Sequence, residues 1–109
     1  MAVRGQTGSP ILEQADRLLA PLVQEGIFNN YFELLRALLL DYIERQIASY
    51  RERVSSFERK YGLSFEKYSK RLQGQASLED EDEWMDWEET LIFLRKWESV
   101  KKQVLHVTL

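Results

Sequence analysis

The sequence has no cysteine among its 109 residues. This absence excludes a disulfide framework, a thiol nucleophile and any cysteine-ligated zinc or iron–sulfur centre. It also has a single histidine, His106, in the predicted tail, so a helical di-metal site lacks its Glu-x-x-His pairs and the serines lack a plausible histidine base. We therefore expect no enzyme, and we predict no catalytic residue, no metal ligand and no cofactor.

Glycine and proline are scarce too, with 5 and 2 copies, which excludes collagen-like and low-complexity chains. No apolar run approaches the ~18 residues that a membrane span needs. The first ten residues, MAVRGQTGSP, lack the apolar core of a signal peptide. With 15 basic and 18 acidic residues the net charge is -3, which does not favour nucleic acid as a partner of the whole molecule. We expect a cytoplasmic protein.

The dominant pattern in the sequence is helical periodicity. Residues 1–8 are predicted to form a flexible arm, and Ser9–Pro10 is typical of a helix start. Pro21 interrupts the following apolar pattern, which predicts a kink or two short helices that meet near Ala20. Gly26 is predicted to end this segment.

A long central helix is predicted next. Asn30 is a good N-cap with Glu33 three residues later, and the chain then runs to Tyr61 without glycine or proline before Gly62. A helix of roughly 32 residues is about 48 Å long, which exceeds the compact core of a domain this size. Its partner is either the C-terminal helix folded back or a second copy of the chain. Polar residues interrupt the apolar seam near Gln46–Ser49, and the sequence leaves open whether the helix is straight or breaks there.

Apolar residues repeat at seven-residue spacing along this helix, which is a coiled-coil pattern. The fold class predicted is therefore all-α, a helical bundle with one long central helix that dimerises by coiled-coil-like packing. The predicted interface of this homodimer comprises Leu35, Leu39, Ile43, Ile47, Tyr50, Val54 and Phe57.

Two more helices are predicted after Gly62. Ser64 is predicted to cap a short one, and Ser77 with Asp80 forms a capping box for a long one that ends near Gln103. Residues 104–109 are β-prone and are predicted to pair as a strand or to be disordered. The expected organisation is an arm at residues 1–8, a single helical domain at 9–103 and a tail at 104–109.

The last long helix combines an acidic start with a tryptophan stripe. The carboxylates are typical of a solvated helix start, where the positive end of the helix dipole favours them. They are also expected to serve as a docking surface for a basic partner. The tryptophans have helical spacing, which fits a buried stripe with Leu91 and Leu94, but tryptophan is also common among interface anchors. The predicted partner-binding residues are Glu79, Asp80, Glu81, Asp82, Glu83, Trp84, Trp87 and Trp97.

The stretch LVQEGIFNNYFELLRALLLDYI, Leu22–Ile43, resembles the helical part of ribbon-helix-helix antitoxins. In that resemblance Gly26 turns the chain, Asn30 caps the next helix, and leucines at 35, 38 and 39 build a dimer core. The downstream segments FERKYGLSFEKYSKRL and WMDWEETLIFLRKWE are similar to small helical proteins of archaea and cyanobacteria, many of which look like antitoxins of two-gene modules. The segment SPILEQADRLLAP has a helical period instead of the DNA-contacting strand of the ribbon-helix-helix family.

The resemblance implies an antitoxin-like subunit that binds and neutralises a cognate toxin. The expected partner is a small basic protein that acts on RNA, and the tryptophans and carboxylates of the last helix would cover it. Two alternatives stay open. One is a helical scaffold or adaptor without a toxin, and the other is a dimeric DNA-binding regulator, whose DNA affinity would fall steeply with salt.

Overall fold

The computed structural model describes residues 10–75 and 77–108, and within them the chain forms helices and no strand. The predicted all-α bundle with a long central helix is confirmed. None of the described helices is both long enough and apolar enough to cross a bilayer. The predicted arm at residues 1–8 and the N-cap at Ser9 lie outside the described residues. The helices are α1 (Pro10–Gln24), α2 (Tyr31–Tyr61), α3 (Phe65–Leu72) and α4 (Leu78–Leu105).

The chain divides into two compact units between Leu39 and Leu40, within α2. In the first unit, α1 is a single helix of 15 residues with Pro21 inside it, so the predicted alternative of two short helices is wrong. Proline has no amide donor of its own, but its carbonyl still accepts from the Glu25 amide at 3.0 Å, so the helical turn after it is kept. Gly26 ends the helical segment as predicted, with a φ of 76°.

The start of α2 completes the first unit. The Asn30 side chain accepts from the Glu33 amide at 2.9 Å, as expected of an N-cap. The Tyr31 hydroxyl donates to Asp16 of α1, and this bond raises the pKa of the phenol. Among the described residues of the first unit, Leu34 is the only apolar side chain that is buried. Many others are exposed: Ile11, Leu12, Leu18, Ile27, Leu35, Leu38 and Leu39.

In the second unit, α2 continues unbroken through Gln46–Ser49 and ends at Tyr61, before Gly62 with a φ of 65°. The part of α2 after Leu40 packs against α4. Early residues of this part pair with late residues of α4: Lys101 with Glu44 at 2.6 Å, Arg51 with Glu98 at 2.9 Å, and Lys60 with Glu83. The two helices are therefore antiparallel. Of the two partners expected for the central helix, the folded-back C-terminal helix is present.

The short helix α3 and the start of α4 follow the predicted caps. The Ser64 hydroxyl accepts from the Lys67 amide at 3.3 Å. Both halves of the capping box between Ser77 and Asp80 are formed. These local signals therefore predicted the helix starts correctly.

The C-terminal end of α4 differs from expectation. The helix continues to Leu105, and the His106 amide caps it by donating to the Lys102 and Gln103 carbonyls at 3.2 Å each. A strand over residues 104–109 is wrong for 104–108, because the first two extend the helix and the rest are turn or irregular. The last residue, Leu109, lies outside the described residues.

We expect Ile43→Ala to lower the free energy of unfolding by about 3 kcal/mol, since the side chain is completely buried and its removal leaves a cavity. The matched control is Leu18→Ala, which trims a highly exposed side chain of α1 and is expected to change stability by less than about 0.5 kcal/mol. Urea titration followed by circular dichroism measures both. Equal effects would contradict the position of Ile43 in the core.

Candidate protein-interaction site

The core beside the candidate site is built around Trp87, which is 0% exposed. Its ring stacks on Phe57 of α2, with centroids 5.3 Å apart. Phe65 and Tyr68 of α3 each contribute a ring at 5.4 Å. A fully buried indole offers no surface to a partner, so Trp87 takes the core role and the predicted anchor role is corrected.

Two polar atoms are buried in this aromatic core without partners. Within the described residues, neither the Tyr68 hydroxyl nor the Trp87 Nε1 has a hydrogen-bond partner. Burial raises the pKa of the Tyr68 phenol above its ordinary value, the Asp80 carboxylate adds to the rise, and Arg71 opposes it. We therefore expect the Tyr68 hydroxyl to be a net cost to stability.

Trp84, three residues before Trp87, is held differently. It is half-buried, and its Nε1 donates to the Ser69 hydroxyl of α3 at 2.7 Å. The Ser69 hydroxyl in turn donates to the Phe65 carbonyl at 2.8 Å. The Phe65 and Trp84 rings stack with centroids 5.7 Å apart. These contacts fix the indole against α3 and leave part of it exposed.

A groove between α3 and α4 opens beside this indole, with a volume of about 300 Å³. Trp84 and Leu72 supply its apolar surface, and Glu81 supplies a carboxylate. A groove of this kind suits an apolar side chain that has a basic neighbour. The lining residues are Ser69, Leu72, Gln73, Glu81 and Trp84.

The acidic start of α4 borders the groove. Eight carboxylates lie between positions 79 and 89, and no basic residue lies between 78 and 94. Two of the five carboxylates that were predicted to bind a partner have roles within the chain, since Asp80 caps the helix and Glu83 pairs with Lys60. Glu79, Glu81 and Asp82 are exposed. Across residues 10–75 and 77–108, no group of acidic or histidine side chains is placed to hold a metal ion.

Trp97 does not join this site. It lies about 20 Å beyond Trp84 at the helical rise of about 1.5 Å per residue. Its half-buried ring meets the edge of Tyr42 of α2, with centroids 5.8 Å apart. The predicted partner-binding residues therefore separate into a groove with Trp84 and carboxylates, a core with Trp87, and a helix contact with Trp97.

Most of the predicted dimer interface is occupied inside the chain. Ile43 and Ile47 are buried in the second unit. Tyr50 stacks on Phe93 of α4 at 6.0 Å, and Phe57 stacks on Trp87. Val54 is half-buried. These side chains serve the contact of α2 with α4, because an apolar seam packs equally well against a helix of the same chain.

The other two predicted interface residues are different. Leu35 is 50% exposed and Leu39 is 46% exposed, both in the first unit. Leu38 lies between them and is also exposed, so the three residues have the i, i+3, i+4 spacing of one helix face. This apolar face is the part of the predicted interface that stays available to a second copy.

The groove residues of α3 were missed by the sequence reasoning. Leu72 is one apolar position of a short predicted helix, and nothing in the sequence marks Ser69 or Gln73 as site residues. No sequence pattern predicts that the Ser69 hydroxyl accepts from an indole on another helix. The approach of α3 to α4 creates this part of the site.

No family model matches the chain, and comparison with curated proteins and with solved structures finds no similar protein.

We expect Tyr68→Phe to stabilise the fold by about 1 kcal/mol at neutral pH, because it removes a buried hydroxyl that has no partner. The phenol ionises more readily in the unfolded chain than in the folded one. The wild type therefore loses stability as the pH rises above 10.0 toward the raised folded pKa, and Tyr68→Phe lacks this loss.

Urea titrations at neutral pH and near pH 10.5 measure this difference, with Tyr42→Phe as the control because that ring is half-exposed. A Tyr68→Phe protein that is less stable at neutral pH would show that the hydroxyl has a partner after all.

Proposed function

We propose that this chain is an antitoxin-like subunit that binds and neutralises a small basic toxin in the cytoplasm. One observation supports this most directly: the groove with the half-exposed Trp84 lies beside the exposed carboxylates of α4. An apolar anchor point with a charged border is the usual anatomy of a protein-recognition site. The acidic border selects a basic partner.

The proposed mechanism is occlusion. A toxin that acts on RNA needs a basic surface for phosphate groups. The exposed carboxylates Glu79, Glu81 and Asp82 would pair with that surface while an apolar side chain of the toxin enters the groove beside Trp84. Bound in this way, the toxin could no longer hold RNA. The resemblance of the sequence to antitoxin segments supports the same proposal.

We further propose that the subunit is a homodimer through the apolar face of Leu35, Leu38 and Leu39. Half-exposed leucines on one helix face are stabilised when a second apolar surface covers them. The first unit buries little of its own apolar surface, so it gains most from such a contact. A symmetric contact between two identical chains places the same neutral face on both sides.

The first test is capture of the tagged chain from cells of its natural host, with mass spectrometry of the co-purified proteins. The proposal predicts one small basic protein in near-equal amount, encoded by a neighbouring gene and toxic when expressed alone. Recovery of the chain alone, or with large assemblies, would favour the scaffold alternative. Salt-sensitive retention of the chain's own upstream DNA would favour the regulator.

Charge reversal tests the acidic border. We expect Glu81→Lys with Asp82→Lys to weaken toxin binding by at least about tenfold, because two attractive pairs become repulsive. Glu58→Lys, an exposed acid on α2 away from the groove, is the control and is expected to bind normally. Calorimetric titration against the purified toxin measures the affinities. Unchanged binding by the double variant would contradict the proposed site.

Sedimentation tests the homodimer. We expect Leu35→Gln with Leu39→Gln to convert the dimer into a monomer while the helix content is kept, since both side chains are half-exposed and glutamine is a good helix former. Leu12→Gln, on an exposed position of α1, is the control. A wild-type chain that sediments as a monomer at high concentration would contradict the dimer.

A further inference from the structure

A second exposed apolar feature runs along α4, outside the groove. Leu78, Met85 and Ile92 are 80%, 53% and 41% exposed. Seven residues are close to two helical turns, so these three side chains lie on one line of the helix. Trp87 and Thr90 are buried on the opposite side of α4. The line therefore faces away from the core of the second unit.

Carboxylates flank this apolar line on both sides. Glu81 and Glu88 follow Leu78 and Met85 by three residues, and Asp82 and Glu89 follow them by four. No basic residue interrupts the stretch between positions 78 and 94. The result is a narrow apolar line between carboxylates of the same helix, about 21 Å long at about 1.5 Å per residue.

We infer that this face of α4 docks an amphipathic helix of the partner, with apolar side chains at every seventh position and basic side chains beside them. The inference rests on the proposed function for the existence of a basic protein partner and adds the element by which that partner is held. We call Leu78, Met85 and Ile92 with their flanking carboxylates the α4 docking face.

The spacing favours a helix over a strand as the occupant. Side chains on the α4 line repeat about every 10.5 Å, which a second helix with the same seven-residue repeat matches along its whole length. Side chains on one face of a strand repeat about every 6.8 Å, so a strand aligned with Leu78 would miss Met85. A helix that lies in an apolar line and carries charges at its borders is a common recognition mode.

The negative charge of the α4 docking face disfavours a second copy of the chain, nucleic acid and anionic membranes as occupants. A second copy that packed through the same face would bring acidic residues against acidic residues, and like charges across an interface are strongly unfavourable. Nucleic acid and anionic membranes are repelled for the same reason. A basic protein helix satisfies both the apolar line and its borders.

The test uses two synthetic peptides of identical composition, built from leucine, alanine and lysine. In one peptide, leucine recurs at every seventh position with lysines beside it, and in the other the same residues are scrambled. Binding of the labelled peptides to the full chain is measured by fluorescence anisotropy. We expect the patterned peptide to bind at least about tenfold more tightly than the scrambled one. Equal affinities would show attraction by charge alone and overturn the docking face.

Variants locate the binding on the chain. We expect Leu78→Gln with Met85→Gln to weaken binding of the patterned peptide at least about tenfold, with unchanged helix content because both side chains are exposed. Leu105→Gln, on the same helix beyond the acidic stretch, is the matched control and keeps normal affinity. Unchanged affinity of the patterned peptide for the double variant would overturn the inference.

The outcomes separate this inference from the proposed function. A toxin that binds Met85→Gln as tightly as the wild type overturns the docking face and leaves the antitoxin proposal standing. Peptide binding that depends on Met85, together with no toxin captured from cells, supports the docking face and rejects the antitoxin role. Loss of the homodimer in Met85→Gln would assign the face to a second copy and overturn the inference.

Discussion

The burial of the Trp87 indole is the constraint on which the second unit depends. Its ring meets Phe57 of α2 and Tyr68 of α3, so one side chain of α4 fixes the positions of both other helices. A buried aromatic of this size removes more apolar surface from water than most other side chains. It also determines which side of α4 faces outward. The positions of the groove at Trp84 and of the exposed line through Met85 both follow from the orientation of α4 about its axis. Each of these residues lies at a fixed angle from Trp87 on the same helix.

The ends of the helices could be predicted from the sequence because each depends on a few adjacent residues. Asn30 and Ser77 accept from backbone amides three residues later, and Gly62 adopts a positive φ where other residues are strained. The end of α4 was less predictable. Val104 is β-branched and begins the tail that was predicted as β-prone, yet Val104 and Leu105 remain helical because the turns before them already supply the hydrogen bonds.

The packing of the long helix could not be predicted, because its apolar seam contains no information about which helix covers it. The same seven-residue repeat serves a second copy or a folded-back helix, and Ile43 and Ile47 are buried by the second arrangement. Only Leu35 and Leu39 of the predicted interface stay exposed. The tryptophans pose a similar problem, since Trp84 and Trp87 share one helical pattern but differ in burial. Trp84 packs against Phe65 of α3, whereas Trp87 also stacks on Phe57 of α2.

The helix α4 has more acidic residues than the stability of its N-terminal end requires. The helix dipole stabilises carboxylates within the first turn, which accounts for Glu79 and Asp80 but not for Asp86 or Glu89. A face that is merely solvated carries both signs, as α2 does with its alternating acidic and basic residues. Here a single sign coincides with an exposed apolar line and borders a groove. Charge of one sign around apolar contact points adds nothing to the fold of an isolated chain, and it becomes favourable when a basic protein surface covers it.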